Sequence, residues 1–219
     1  MLNEDQIIEE LLLLNSSIVH DALRSENLLN QTLPHEIKPL LFENKVVGKI
    51  WTLSGKLKSN ASIDESLLSW TEFLSKAEKN SVIICQPNNN SIALMGELSA
   101  EALKLRGVRG YITDAGCRDV TRIKSEIKFP VYCRYNSPKD VAGRWIVNEM
   151  GKSIKIGNVN INTGDYSIAD EDGIVIIPNN IIFKIINKAK KDLSSENKMR
   201  DAILKGINPK EAYLKYKKF

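Results

Sequence analysis

At 219 residues, with 42% hydrophobic and 26% charged residues, the chain is long and apolar enough to bury a substantial core. No apolar run approaches the roughly 18 residues of a membrane helix, the longest being Leu11–Leu14, and the acidic N-terminus lacks the basic stretch of a secretory signal. Three cysteines, Cys85, Cys117 and Cys133, form no CxxC pair, so neither a disulfide framework nor a structural zinc site is expected, and the cytoplasm is the expected compartment.

In chain order, apolar positions 7, 8, 11, 12 and 14 predict a helix over 4–14, and a second short helix follows over Ile18–Leu23. Pro34, Pro39 and Gly48 mark a loop region before a strand, Val46–Leu53. Asp64–Lys79 reads as a helix with Leu67, Leu68, Phe73 and Leu74 inward, and Val82–Cys85 as a buried strand. Gly96 opens a helix over Glu97–Arg106 that Gly107 closes. Gly110–Thr113 is a strand, Arg118–Ser125 a helical turn, and Pro130–Arg134 another strand, with Arg144 and Trp145 in a loop after Pro138. The period then changes to two, giving short strands Ser153–Ile156, Val159–Ile161, Tyr166–Ala169 and Ile174–Ile177 between Gly157-Asn158, Gly164-Asp165 and Asp172-Gly173 turns. The last forty residues are helical, stopped by Gly206 and Pro209. This order predicts one α/β domain over 1–219, with helices packed on mixed sheets in a core over 18–180 and a helical tail over 181–219.

The net charge of +4 is unevenly placed. Lys184 to Lys218 holds eleven basic against four acidic residues, a net +7, so the remainder carries −3. Such a tail is either a nucleic-acid patch or a solvated helical face. The second reading is favoured, because only Tyr213, Tyr216 and Arg200 could interleave with bases.

Chemistry concentrates in the stretch from Met95 to Asp119. A helix starting at Gly96 would leave the amides of Glu97, Leu98 and Ser99 without partners, a cradle for a carboxylate or phosphate. The strand ending at Thr113 delivers Arg118 and Asp119 through a glycine-containing loop, where α/β proteins bind ligands. The arginine fork suits a carboxylate or an enolate oxygen, and the aspartate suits Mg²⁺ or Mn²⁺. Taken locally, Gly96 could equally be a loop glycine, and Arg118–Asp119 an ion pair at a helix start.

This stretch resembles the RraA-like family, which includes 4-hydroxy-4-methyl-2-oxoglutarate aldolases, oxaloacetate decarboxylases and the regulator of ribonuclease activity A. The family pattern is a Gly-Asp-x-x-Leu helix start, twenty residues, then Arg-Asp; here twenty residues separate Glu97 from Arg118. Ser17–Leu23, Val47–Thr52, Phe129–Val131, Gly164-Asp165 and Ala169–Pro178 are similar to further family segments, in order, so the likeness runs from about 18 to 206. The resemblance implies a swivelling β/β/α fold and a lyase that cleaves a carbon–carbon bond in a small 2-oxo acid through a pyruvate enolate. It implies that Gly96, Glu97, Leu98, Ser99 and Arg118 bind the substrate, that Arg118 and Glu97 are catalytic, and that Asp119 ligates Mg²⁺ or Mn²⁺. Family aldolases carry Asp at position 97; Glu keeps the charge but reaches one methylene further, and its other reading is an acid favoured in a helix's first turn. A second acid is expected from a neighbouring subunit in a trimer or hexamer. Glu196 is the choice by position, its alternative being an i,i+4 pair with Arg200.

Other residues carry less. His20 reads as packed or capping near the first helices and His35 as loop surface; Cys117 has no His partner to activate it. Asp114 is a candidate to orient Arg118 or to cap its turn, and Arg144 and Tyr135 are candidates for substrate selection. A ribonuclease-masking binding protein is the alternative function. A methyltransferase is disfavoured, since no glycine-rich cofactor loop follows an early strand.

Overall fold

The computed structural model describes residues 2–41 and 45–217. Residues 42–44 of the expected loop, and Met1 and Lys218, lie outside the described residues. Helices α1 (Glu4–Leu12) and α2 (Ser16–Ser25) open the chain, each started by an asparagine cap: the Asn3 and Asn15 side chains accept from the amides of Gln6 and Ile18. Strands β1 (Lys38–Pro39) and β2 (Val46–Leu57), helix α3 (Ile63–Lys76) and strand β3 (Ser81–Gln86) follow. Gly48 lies inside β2 rather than in a loop before it. The central run is β4 (Ala93–Met95), α4 (Glu97–Leu105), β5 (Gly110–Thr113) and β6 (Gly116–Cys117). Next come the short α5 (Val120–Arg122) with a π turn over Ile123–Ile127, then β7 (Val131–Cys133) and β8 (Tyr135–Asn136). The remainder is β9 (Trp145–Met150), β10 (Ile154–Ile156), β11 (Val159–Ile161), β12 (Tyr166–Ala169), β13 (Ile174–Ile177), α6 (Ile182–Leu204) and α7 (Pro209–Tyr216).

The main sheet has the order β1-β7-β5-β3-β2-β12-β13, with β9 also paired to β2. Its centre, from β2 through β3 and β5 to β7, is parallel, and its margins are antiparallel. The long β2 serves two antiparallel partners in turn, β12 along Val46–Lys49 and β9 along Leu53–Leu57, with a register shift at Ser54/Gly55 where the sheet bends. A Cβ at Gly55 would sit 1.8 Å from Cζ2 of the fully buried Trp145, so only glycine lets β9 close over β2.

Both faces of the parallel centre are covered, which explains its unbroken apolar runs. On β3, Ile83 and Cys85 face a core with Trp70, Phe73, Leu103 and Trp145, while Val82 and Ile84 face another with Ile154, Ile156, Val159 and Ile161 of the β10–β11 hairpin. A third core joins α1, α2 and α6 to β12 and β13. The mixed α/β architecture with packed helices and a long C-terminal helix agrees with the sequence expectation.

Three expectations are corrected. Leu67 and Leu68 of α3 are exposed (42% and 69%), because Ser66, Trp70 and Phe73 take the inward stripe. Arg144 and Trp145 do not share a loop: Trp145 starts β9 and is buried, its indole N–H donating to Pro87 O at 2.8 Å. Pro209 does not stop the tail but occupies the first turn of α7, where its missing N–H costs nothing.

Candidate functional site

Three short parallel strands, β4-β6-β8, form a separate small sheet beside the main one. Because Met95 and Cys117 are partners across β4 and β6, the chain leaves the two strands side by side. One exit enters α4 through Gly96 and the other enters α5 through Arg118 and Asp119. The Arg118 amide donates to Met95 O at 2.8 Å, locking the exits together.

Gly96 caps α4 without a side chain, in extended backbone (φ −144°, ψ 178°) that any residue adopts. Space is what requires glycine there. A Cβ would lie 2.9 Å from Asp119 Oδ2, 3.0 Å from Arg118 Nε and 3.2 Å from Arg118 Cγ. Asp119 sits in the left-handed region (φ 54°, ψ 31°), which Asp tolerates better than most residues, and so its carboxylate turns back toward α4. There its Oδ2 accepts from the Glu97 amide at 3.2 Å and lies 3.4 Å from Arg118 Nε. Among the described residues, Asp119 Oδ1 has no protein partner.

Sequence reasoning missed Asp140. Its Oδ2 accepts from Arg118 Nη1 at 3.1 Å while its Oδ1 accepts from the Ala142 amide at 3.2 Å, so the carboxylate is fixed by its own turn before it fixes the guanidinium. Arg118 is thus gripped by carboxylates at Nε and Nη1, with Nη2 left over. The available signal was Ser137-Pro-Lys-Asp140, a turn sequence ending in an acid.

Gly96, Glu97, Leu98, Ser99, Arg118 and Asp119 all line one cavity of about 250 Å³. Their side chains are used unequally. Glu97 turns its carboxylate to Arg122, 3.0 Å from Nη1, within a cluster that also includes Glu101 and Glu126. Leu98 is 71% exposed at the rim, and the Ser99 hydroxyl accepts from the Trp70 indole at 2.9 Å. Helix α3 also lines the cavity, through Leu67, Trp70, Thr71 and Leu74. Arg144 and Tyr135 are absent from the lining, and the Tyr135 hydroxyl donates to Ile92 O at 3.1 Å. Asp114 is paired with Arg134 and does not touch Arg118. Glu196 pairs with Arg200 at 2.9 Å on α6, outside the cavity of its own chain. His20 meets Thr32 Oγ1 at 3.3 Å, and His35 is exposed.

Among the described residues, no three His, Cys, Asp or Glu side chains converge on one point, so an ion in this cavity would take one carboxylate, that of Asp119, with ligand and water oxygens for the rest. That is the donor set Mg²⁺ accepts, since it keeps several waters and asks few protein ligands. The cavity's ionisable lining is Glu97, Asp119 and Asp140 against Arg118 alone, an excess of two negative charges. A divalent cation entering with an anionic ligand would offset that excess. Next to Arg118, the Cys117 thiol is pushed well up by burial first, then by Cys133 and Asp119, which disfavours its thiolate.

The family model described as RraA-like (Aldolase/RraA) matches residues 16–176. DlpA of Legionella pneumophila is 26% identical over 210 residues, covering 94% of this chain but 33% of its own length, so the chain spans a third of that relative. A protein of Halalkalibacterium halodurans named "Putative 4-hydroxy-4-methyl-2-oxoglutarate aldolase" is 25% identical over 200 residues, covering 91% of this chain and 89% of the relative. Among solved structures, Streptomyces coelicolor RraAS2, described as an unusual member of the RNase ES inhibitor RraA protein family, superposes with a TM-score of 0.80 at 21% identity, covering 89% of this chain and 96% of that one. That last likeness is one of fold. No helix among the described residues is long and apolar enough to cross a membrane.

Proposed function

The chain belongs to the RraA-like family, and from that membership we propose that it is a divalent-metal-dependent lyase cleaving a carbon–carbon bond in a small 2-oxo acid, by aldol cleavage or decarboxylation. The observation that carries the reading is the contact of Arg118 and Asp119 with the side-chain-free start of α4, in a cavity that all these residues line. Asp119 would hold Mg²⁺ or Mn²⁺, which when bound would supply the positive charge that polarises a 2-oxo group.

The chain's own groups divide the remaining work. The amides of Leu98 and Ser99, uncapped by any side chain, receive the substrate carboxylate at the positive end of α4. Arg118 aims its remaining N–H donors at the oxygen that becomes negative as the bond breaks, and its two carboxylate partners hold it there without reorganisation. In aldol cleavage the 4-hydroxyl proton passes through water to Glu97, the C3–C4 electron pair becomes the enolate, and a proton returned to C3 gives pyruvate. Glu97 stands at the cavity edge within reach of solvent, with Arg122 holding its carboxylate. Decarboxylation needs no such base, so one site serves both reactions.

We assign Glu196 of a neighbouring subunit as the second acid, within a homotrimer or homohexamer. Leu67 and Leu98, apolar residues that line the cavity yet are exposed, support an assembled surface there. The test is pyruvate release from oxaloacetate and from 4-hydroxy-4-methyl-2-oxoglutarate with added Mg²⁺. Activity is expected to vanish with EDTA and in Arg118→Ala and Asp119→Ala; undiminished turnover in both variants would exclude the assignment.

A further inference from the structure

The contacts of Arg122 bear on how Glu97 is held for its work, and this inference rests on the lyase reading above. Asp119 caps α5 and Arg122 ends it, and both reach Glu97, the first residue of α4. Asp119 Oδ2 accepts from the Glu97 amide at 3.2 Å, while Arg122 Nη1 donates to Glu97 Oε2 at 3.0 Å. Backbone and side chain of one residue are therefore held by separate groups of the same short segment. The guanidinium is itself fixed from two other directions. Its Nε donates to Glu126 Oε2 at 3.0 Å, and its Nη2 donates to Glu101 Oε1 at 3.3 Å. Each nitrogen of the fork thus has its own carboxylate. A single exposed ion pair holds little, but a planar fork tied at every nitrogen has one orientation to offer. The length of Glu97 is part of the fit: an aspartate there would end one methylene short of the point where Arg122 meets the carboxylate.

We infer that Arg122 is the positioning residue for Glu97 in aldol cleavage. It fixes the carboxylate at the cavity edge, where water carries the 4-hydroxyl proton to it. In that step the hydroxyl O–H bond breaks and its proton passes through water to Glu97. The C3–C4 electron pair stays with C3 as the enolate, and C4 becomes a carbonyl carbon. The enolate takes a proton at C3 from water and Glu97 returns its own to water, so atoms and electrons balance with no further reactant. Decarboxylation removes no hydroxyl proton and has no use for this arrangement. The two reactions of one site therefore separate what Arg122 does for Glu97 from anything it does for the fold or for the charge of the cavity.

The test uses the full chain with Mg²⁺ and compares the native protein with Arg122→Met, Glu97→Gln and the double variant. With 4-hydroxy-4-methyl-2-oxoglutarate, Arg122→Met is expected to lower kcat roughly tenfold at little-changed KM, as lost orientation does. With oxaloacetate the same substitution is expected to leave kcat/KM within about twofold of native, because an exposed charge at this distance is screened. In the Glu97→Gln background, adding Arg122→Met is expected to cost nothing more, since positioning has no effect once the positioned group is gone. Arg122→Lys, which keeps the charge but loses the fork, is expected to fall between native and Arg122→Met, and it carries the comparison if the methionine variant does not fold. Undiminished aldol cleavage in Arg122→Met, equal losses in both reactions, or a further loss in the double variant overturns the inference and leaves the lyase reading standing. Decarboxylation without aldol cleavage by the native chain overturns it as well, because no hydroxyl proton is then moved. If the native chain performs aldol cleavage alone, the double variant decides. Turnover of neither substrate by the native chain removes the lyase reading and this inference together.

Discussion

Gly96→Ala isolates the geometry on which the site depends. The backbone at 96 is extended and unstrained, so alanine brings no conformational penalty of its own. As a helix cap, alanine is poorer than glycine, a loss of about 1 kcal/mol at most. In a chain of this size that lowers Tm by roughly 2–4 °C. The new methyl, however, would lie 2.9 Å from Asp119 Oδ2 and 3.0 Å from Arg118 Nε, closer than carbon tolerates. Both are the ends of side chains, so the clash is relieved by their retreat, at little cost to the fold and directly at the expense of the site. A displacement near 1 Å in a catalytic group costs on the order of 100-fold in rate. We therefore expect kcat/KM for pyruvate release to fall about 100-fold and Mg²⁺ binding, followed by calorimetry, to weaken, while thermal denaturation shows only the small capping loss. Native turnover and native Mg²⁺ affinity in a folded Gly96→Ala protein would refute the reasoning, because the close approach would then have no bearing on function.

Asp140→Asn keeps an oxygen for the Ala142 amide but removes the charge that holds Arg118 Nη1. With one negative charge fewer in the lining, KM should hold or fall, while kcat drops roughly tenfold through lost orientation; a raised KM at unchanged kcat would contradict this. The buried thiols make the fold sensitive to alkali. Burial pushes Cys85 up to about 12 and Cys133 up to about 11 from an ordinary value of 9.0. The unfolded chain therefore releases these protons first, and stability, complete below pH 9, declines between about pH 9 and 12 by of order 1 kcal/mol per pH unit for each thiol. Urea midpoints at pH 8 and pH 10 read this directly, and equal midpoints would disprove it. Gly55→Ala would force a methyl to within 1.8 Å of Trp145 Cζ2 in a packed interior, and should cost about 3 kcal/mol or more. A urea midpoint unchanged from the parent would show that β9 can lift off β2 freely.

What the sequence disclosed, and what it concealed, follow from the lengths over which its signals act. The β12–β13 arm and the β10–β11 hairpin were readable because alternation and glycine turns repeat over many residues. Gly110–Thr113 was placed at its true bounds, and Gly96 and Gly107 bracket α4 as read, with Gly107 at φ +77°. Strands β4, β6 and β8 span only two or three residues, too few for any period to register, yet they build the site. Strand β9 escaped because only its first residue, Trp145, is fully inside. The α3 leucines were assigned inward on hydrophobicity alone, although the true inward stripe runs through Ser66, Trp70 and Phe73, three and four residues apart. Asp140 could not be paired with Arg118 from sequence, since the pairing depends on how the 137–142 turn folds back across β6.

Those short strands also explain how residues more than twenty positions apart become one site. Parallel pairing of β4 with β6 brings two strand ends to the same edge, and each ends at a helix start, where backbone amides point outward. Two such ends would concentrate positive potential and clash sterically if both carried ordinary side chains. The chain resolves this asymmetrically. Gly96 withdraws from the shared space, and Asp119, turned through the left-handed region, sends a carboxylate across to the partner helix's first amide. One carboxylate oxygen is thereby spent on orientation, and the other has no protein partner among the described residues. On the proposed reading Asp119 divides a single side chain between holding the architecture and offering a ligand, and asparagine there would keep the hydrogen-bonding oxygen but forfeit the charge a cation requires.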